Sequence, residues 1–149
     1  MHREVSVESH LEALLRRCRA AGLNVTPQRI AIYRAMLDAE DHPTPELLYQ
    51  RVRPSMPSLS LATIYKVLDA LAKLGMVKEV QVSGDSRRYD ANLDQHHHLV
   101  CSRCKKVNDL YDERFDTIAL PKRLPGFVAK SLSVQVFGLC STCAQTETR

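Results

Sequence analysis

Two Cys-x-x-Cys pairs, Cys101/Cys104 and Cys140/Cys143, stand 35 residues apart towards the end of a 149-residue chain. Each such turn presents two sulfurs to one ion, and two turns complete the tetrahedral sulfur shell that zinc takes in structural sites. A closed shell leaves no position for water, so the pattern implies a structural ion rather than a catalytic one. The unfolded chain has no preformed site, so binding the ion contributes directly to folding. The competing readings are a redox dithiol and a pair of disulfides. A redox Cys-x-x-Cys usually accompanies a βαβ unit, whereas both pairs here sit in a texture of short strands. Cys18, the fifth cysteine, falls on an apolar helical stripe and reads as a small core residue.

Upstream of these cysteines the pattern is helical. Leu11, Leu14, Leu15 and Cys18 recur at helical spacing, and Gly22 is the stop. Thr26-Pro27 and Thr44-Pro45 are two start signals, with Thr as cap and Pro in the first turn, where no N–H is needed. The helix after Thr26 takes Ile30, Ile32, Tyr33, Met36 and Leu37 as its apolar residues, and the one after Thr44 runs to about Arg53. Ser60 caps a fourth helix to about Leu74, with Leu61, Ile64, Val67, Leu68, Leu71 and Leu74 inward and Thr63, Lys66, Asp69 and Lys73 outward. An alternating strand over Met76–Val82, a turn at Ser83-Gly84-Asp85 and a return over Ser86–Asp90 predict a hairpin. Helices followed by a two-stranded hairpin predict a winged helix-turn-helix over residues 1–90.

Beyond Asp90, strands are expected at His97–Cys101, Lys106–Tyr111 and Ala129–Phe137, with a helix over Glu113–Leu124. The fold class is therefore α+β: an N-terminal winged-helix domain (1–90), a hinge (91–95) and a small C-terminal α/β domain (96–149) that binds metal and dimerises. The formal net charge is +4. Lys and Arg outnumber Asp and Glu by 13 to 11 up to Asp90 and by 8 to 6 after it. Neither half is a basic tail, so contact with DNA must come from a local patch. No apolar run approaches the roughly 20 residues of a membrane span. Glu4, Glu8 and Glu12 break the layout of a secretion signal. A cytoplasmic location with free thiols is the expectation.

His96, His97 and His98 are consecutive. On a strand His96 and His98 share one face and His97 takes the other. Asp90 precedes them, Asp109 lies on the next expected strand, and His42 stands before the third helix. Three imidazoles and two carboxylates form a mixed N/O shell that suits Fe²⁺, Mn²⁺ or Zn²⁺. A solvated histidine run beside ordinary surface acids is the other reading. If the shell forms, it draws ligands from both domains and from the hinge, so metal binding fixes the angle between the domains. A two-fold dimer needs its recognition helices about one DNA turn apart, and metal occupancy can thus set DNA affinity.

Val25-Thr26-Pro27-Gln28-Arg29, His42-Pro43-Thr44, Ala62-Thr63-Ile64-Tyr65, the run from His96 to Cys104 and the closing Cys140-Ser141-Thr142-Cys143 together resemble the ferric uptake regulator family. The resemblance covers about Leu11 to Cys143. It implies a homodimeric winged-helix repressor, not an enzyme, that binds a double-stranded DNA operator. It also implies one structural zinc and one regulatory Fe²⁺ or Mn²⁺ per subunit, and no membrane. Within the family the likeness is greatest to peroxide-responsive repressors, whose regulatory shell matches His42, Asp90, His96, His98 and Asp109. Iron-uptake members carry Glu where Asp109 stands and Asp where His97 stands. A further site that some members build with a histidine on the last strand has no counterpart, since no histidine follows His98.

Carried over, the resemblance implies that bound Fe²⁺ reacts with hydrogen peroxide and that His42 or His96 is the histidine oxidised. The winged-helix reading places Thr63, Tyr65 and Lys66 at base edges or phosphates. Arg29, the cluster Arg16, Arg17 and Arg19, and the wing residues Arg87 and Arg88 become candidate phosphate contacts, which position a protein on DNA without specifying sequence. A solvated helix face is the plain alternative for the arginine cluster. Two other functions compete: an iron- or zinc-homeostasis regulator using the same shell, and a hydrolase using the His/Asp site as a catalytic metal centre.

Overall fold

The structure, a computed structural model, describes residues 6–82 and 87–147. Glu4, the turn at Ser83-Gly84-Asp85 and Ser86 lie outside the described residues. The chain divides into two compact units, one ending at Leu93 and the other beginning at Asp94.

The first unit holds α1 (Val7–Ala20), α2 (Pro27–Leu37), α3 (Pro45–Val52), α4 (Leu61–Lys73) and the strands β1 (Lys78–Gln81) and β2 (Arg87–Asp90). Each helix begins at a hydroxyl cap. Ser6, Thr26, Thr44 and Ser60 accept the backbone N–H of Ser9, Arg29, Leu47 and Thr63 respectively. Pro27 and Pro45 occupy first-turn positions, where the missing N–H costs nothing. α1 and α4 stop before glycines at positive φ, Gly22 at 66° and Gly75 at 70°, a conformation that disfavours a Cβ.

Leu14, Cys18, Ile32, Tyr33, Met36, Leu48, Ile64, Leu68 and Leu71 form one buried core. Each fully buried Leu or Ile there contributes about 1.5–3 kcal/mol. Cys18 is fully buried, as the apolar stripe required. The hairpin pairs Lys78 with Asp90 and Val80 with Arg88 in antiparallel register. Its first strand is shorter than expected. Met76 and Val77 are buried in the helical core instead of joining the ladder.

The second unit holds β3 (His97–Cys101), β4 (Val107–Leu110), α5 (Glu113–Asp116), β5 (Gln135–Gly138) and α6 (Ser141–Glu147). The sheet order is β4-β3-β5, with β4 antiparallel and β5 parallel to β3. Three expectations need correction. The helix foreseen to Leu124 stops at Asp116, where the Thr117 hydroxyl donates to the Arg114 carbonyl at 2.9 Å, and Pro121 bars helix at the residue before it. The last strand is Gln135–Gly138 rather than Ala129–Phe137, because it pairs only along His98–Cys101. The helix α6 was not foreseen, and Cys143 lies on it rather than at a strand end.

This unit buries little of its own apolar surface. Its buried hydrophobic residues among those described are Val100, Cys101 and Val107, while Phe127 (67%), Val128 (80%) and Phe137 (52%) are widely exposed. Among the described residues no helix is long and apolar enough to cross a membrane.

Candidate metal centres and nucleic-acid surface

The four cysteines converge at one end of β3. Cys101 ends that strand, and its N–H bonds the Lys106 carbonyl at 2.9 Å. Lys105, at φ 65°, donates back to the Cys101 carbonyl and closes the turn that carries Cys104. The N–H of Ser102 bonds the Gly138 carbonyl at 2.8 Å, which brings the end of β5, and so Cys140, alongside. Arg103 donates to the Cys143 carbonyl and the Thr146 hydroxyl at 3.2 and 2.7 Å and holds α6 against the turn.

All four sulfurs lie within 4.8 Å of one another. The Cys104–Cys140 separation is 3.8 Å, which is the edge of a tetrahedron with metal–sulfur bonds of about 2.3 Å. The residues therefore fit a Cys₄ zinc site. Their acidities agree with a shell built for a cation. The backbone N–H groups of Cys140 and Cys104 hold the Cys101 thiol down to about 6, and the N–H of Cys143 lowers Cys140. Hydrogen bonding to Cys140 and burial push Cys143 up to about 12. Without a cation, a proton shared among the sulfurs relieves the repulsion between thiolates; a divalent ion replaces it.

In the first unit, His42 and Asp90 form one half of the expected regulatory set. His42 sits at φ 49°, an uncommon left-handed backbone for a residue with a Cβ. The loop around it is fastened from several sides. Arg88 donates to the His42 carbonyl at 3.1 Å, the Tyr89 N–H bonds the Pro43 carbonyl at 3.2 Å, and Arg51 grips Asp41 with two hydrogen bonds. The Asp41 carboxyl is held below its usual range, chiefly by that Arg51 hydrogen bond. His42 Nε2 lies 3.0 Å from Asp90 Oδ2, and Asp90 Oδ1 accepts the Asn92 N–H at 2.8 Å.

In the second unit, β3 and β4 set the other half. His98 pairs directly with Asp109 across the ladder. Asp109 Oδ1 lies 3.2 Å from His96 Nε2 and 3.9 Å from His98 Nε2, and the His96 and His98 rings are 4.8 Å apart. Nδ1 of His96 is 2.6 Å from the Asp94 carbonyl oxygen, so Nδ1 donates there and Nε2 is the nitrogen turned to Asp109. Separations of 3.0–3.9 Å within each half suit neighbouring donors at about 2.1 Å from one ion. The donor set is N and O, which fits Fe²⁺, Mn²⁺ or Zn²⁺.

His97 takes the other face. Its Nε2 is 2.8 Å from Asp116 Oδ1, and its ring meets Phe115 edge to face at 5.6 Å. This pairing had no signal in sequence, because Asp116 was expected within a longer helix and the pair is set by where α5 stops.

The candidate DNA residues divide into two groups. Tyr65, on α4, is 40% exposed and donates its hydroxyl to Glu46 of α3 at 2.5 Å. That bond lowers the Glu46 carboxyl and raises the Tyr65 phenol. Lys66 is exposed beside it, and the half-buried Thr63 shares a hydrogen bond with Ser60 at 2.9 Å. Arg16 and Arg19 are exposed on α1. Arg17, by contrast, donates to the Leu74 carbonyl at the end of α4 at 2.6 Å, Arg29 donates to the Asn24 carbonyl, and Arg88 is turned to His42. Arg87 remains on the surface, 3.6 Å from Glu79. Sequence did not show which of these arginines, Arg17 among the exposed ones, donate to the backbone.

The model of the Ferric uptake regulator family matches residues 20–137. The peroxide-responsive repressor PerR of Staphylococcus epidermidis is 33% identical over 141 residues, covering 94% of each chain. The Helicobacter pylori ferric uptake regulator Fur shares the fold, with a TM-score of 0.77 and 24% identity over 97% of both chains. PerR from Streptococcus pyogenes matches with a TM-score of 0.54 and 28% identity, covering 95% of this chain and 98% of that one. These relatives are repressors and regulators rather than enzymes, which sets aside the hydrolase alternative. By the span of the family match and the identity to its members, the chain belongs to the ferric uptake regulator family.

Proposed function

We propose that this regulator is a dimeric, metal-dependent repressor of transcription that senses hydrogen peroxide, with two domains meeting at a hinge over residues 91–95. His42 and Asp90 from the first domain and His96, His98 and Asp109 from the second close on one Fe²⁺ or Mn²⁺. The observation that carries this reading is the donor spacing inside each half, 3.0 Å for His42–Asp90 and 3.2 Å for His96–Asp109. Each half alone offers too few donors for a tight site, so a shared ion favours one arrangement of the domains. A regulatory coupling of this kind typically changes DNA affinity about 5–150-fold. A separate Cys₄ zinc stabilises the second domain and leaves sensing to the N/O shell.

Ferrous iron in that shell supplies electrons to peroxide, whereas manganese holds the repressor form without this reaction. His42 and His96 are the proposed oxidation sites. A histidine that gains oxygen is a poorer ligand, and its loss frees the domain arrangement and the DNA. Thr63, Tyr65 and Lys66 meet the operator, with Arg16 and Arg19 on phosphates. Arg17 and Arg29, with part of each guanidinium already engaged, support that surface. DNA as partner and four unoxidised cysteines as zinc ligands support a cytoplasmic location.

The test is Asp109→Ala. It should abolish metal-dependent DNA binding while one zinc stays bound; normal metal dependence in this variant contradicts the ligand set. Regulation by metal level alone is the second reading, favoured if ferrous protein keeps its DNA and its histidines after peroxide.

A further inference from the structure

Tyr111 follows β4 directly. It lies two residues beyond Asp109, so strand alternation sends it to the face that carries Asp109. Its ring centroid is 5.6 Å from that of His96, tilted by 35°, and the residue is 46% exposed. The ring is thus packed on a proposed iron ligand and is open to solvent. Phe115, the aromatic residue of α5, is instead packed on His97, which strand alternation places on the opposite face from His98. An electron-rich phenol, more readily oxidised than imidazole, therefore packs on one of the two histidines proposed to receive the oxidant.

We propose that Tyr111 is a second oxidation site of the sensor, hydroxylated on its ring when peroxide meets iron held by His96. The inference rests on the peroxide reading above. The net step balances with peroxide as the sole oxidant. The O–O bond breaks, one oxygen enters as a hydroxyl group in place of the hydrogen at the ring carbon beside the phenol oxygen and forms a catechol, and the displaced hydrogen leaves with the other hydroxyl as water. The aromatic ring loses two electrons, peroxide gains two, and the iron is unchanged overall. Each event at Tyr111 consumes a peroxide that would otherwise oxidise a histidine, so this residue sets how much peroxide is needed for each protein that leaves DNA.

The experiment uses full-length, zinc-replete protein loaded with Fe²⁺, with Mn²⁺ or with no second metal, treated with stoichiometric hydrogen peroxide. Peptide mass mapping and a catechol-specific stain are the readouts. One added oxygen on the Tyr111 ring is expected in the ferrous form alone. Tyr111→Phe should lose the catechol signal and show a larger share of oxidised His96 at the same peroxide dose. Oxidised His42 or His96 with an untouched Tyr111 overturns this inference and leaves the peroxide reading standing. Unmodified histidines and tyrosine overturn both. Equal oxidation of Tyr111 in the manganese or metal-free protein also overturns it, since proximity to iron would then be irrelevant.

Discussion

His98 and Asp109 face each other across the β3–β4 ladder, so backbone pairing itself sets an imidazole and a carboxylate side by side. The His98–Asp109 part of the proposed regulatory set is therefore as rigid as the sheet. Its ligand positions depend on strand register, and a one-residue slip would turn His96 and His98 to the face His97 now occupies.

That rigidity makes Asp109→Asn informative as a subtler change than alanine. The side chain keeps its shape and loses its charge. Affinity for Mn²⁺ should fall at least about tenfold, in the range that altered metal surroundings commonly produce. Titration calorimetry measures it, and zinc content should stay at one per chain.

Zinc uptake should depend on pH in a definite sense. Thiolates bind the ion and thiols do not, so acid opposes binding. Cys101 is held down to about 6 and is already thiolate at neutral pH, while Cys143, pushed up to about 12, still carries its proton. Zinc binding at pH 7 should therefore release fewer than four protons, counted by calorimetry in buffers of different ionisation enthalpy. Zinc should be retained at neutral pH and lost on acidification with a midpoint below the Cys101 value of about 6, because protons must displace the bound ion. Release of four protons contradicts the depressed Cys101.

The exposed apolar surface of the second unit calls for a second copy of the chain. Phe137→Asp and Val128→Asp, both at widely exposed positions, should convert dimer to monomer in sedimentation velocity while leaving zinc bound. An unchanged dimer would place the interface elsewhere.

Helix ends give stability predictions free of metal. Thr44→Ala removes the acceptor for the Leu47 N–H and should cost about 1 kcal/mol. Gly75→Ala places a Cβ at φ 70° and within 2.9 Å of Arg17 Nη1, the group that holds the Leu74 carbonyl; it should cost about 1–2 kcal/mol for the left-handed backbone alone. Urea denaturation of the zinc-replete protein measures both.

The caps and proline positions made the four N-terminal helices legible, because Thr26-Pro27 and Thr44-Pro45 act through local chemistry. The bounds of β3 and the split of His96 and His98 from His97 followed from strand alternation. What sequence could not reveal depended on contacts distant along the chain. The helix α6 forms from Ser141-Thr142-Cys143, residues of modest helical propensity, and Arg103 binds its Cys143 carbonyl and Thr146 hydroxyl. The length of β5 likewise depends on the short edge offered by β3, whereas the end of α5 is marked by a local bond from the Thr117 hydroxyl to the Arg114 carbonyl. The backbone hydrogen bonds of Arg17 and Arg29 were not legible either, because a guanidinium bound to a backbone carbonyl has no distinct sequence pattern.

The central claim is tested most directly by DNA binding before and after peroxide. Fragments selected from a random-sequence DNA pool by the manganese-loaded protein serve as probes, with fluorescence anisotropy as the measure. The ferrous protein should bind them, release them on stoichiometric hydrogen peroxide and carry one added oxygen on His42 or His96, while the manganese protein keeps its DNA and its mass. Ferrous protein that retains both DNA affinity and unmodified histidines after peroxide contradicts the account.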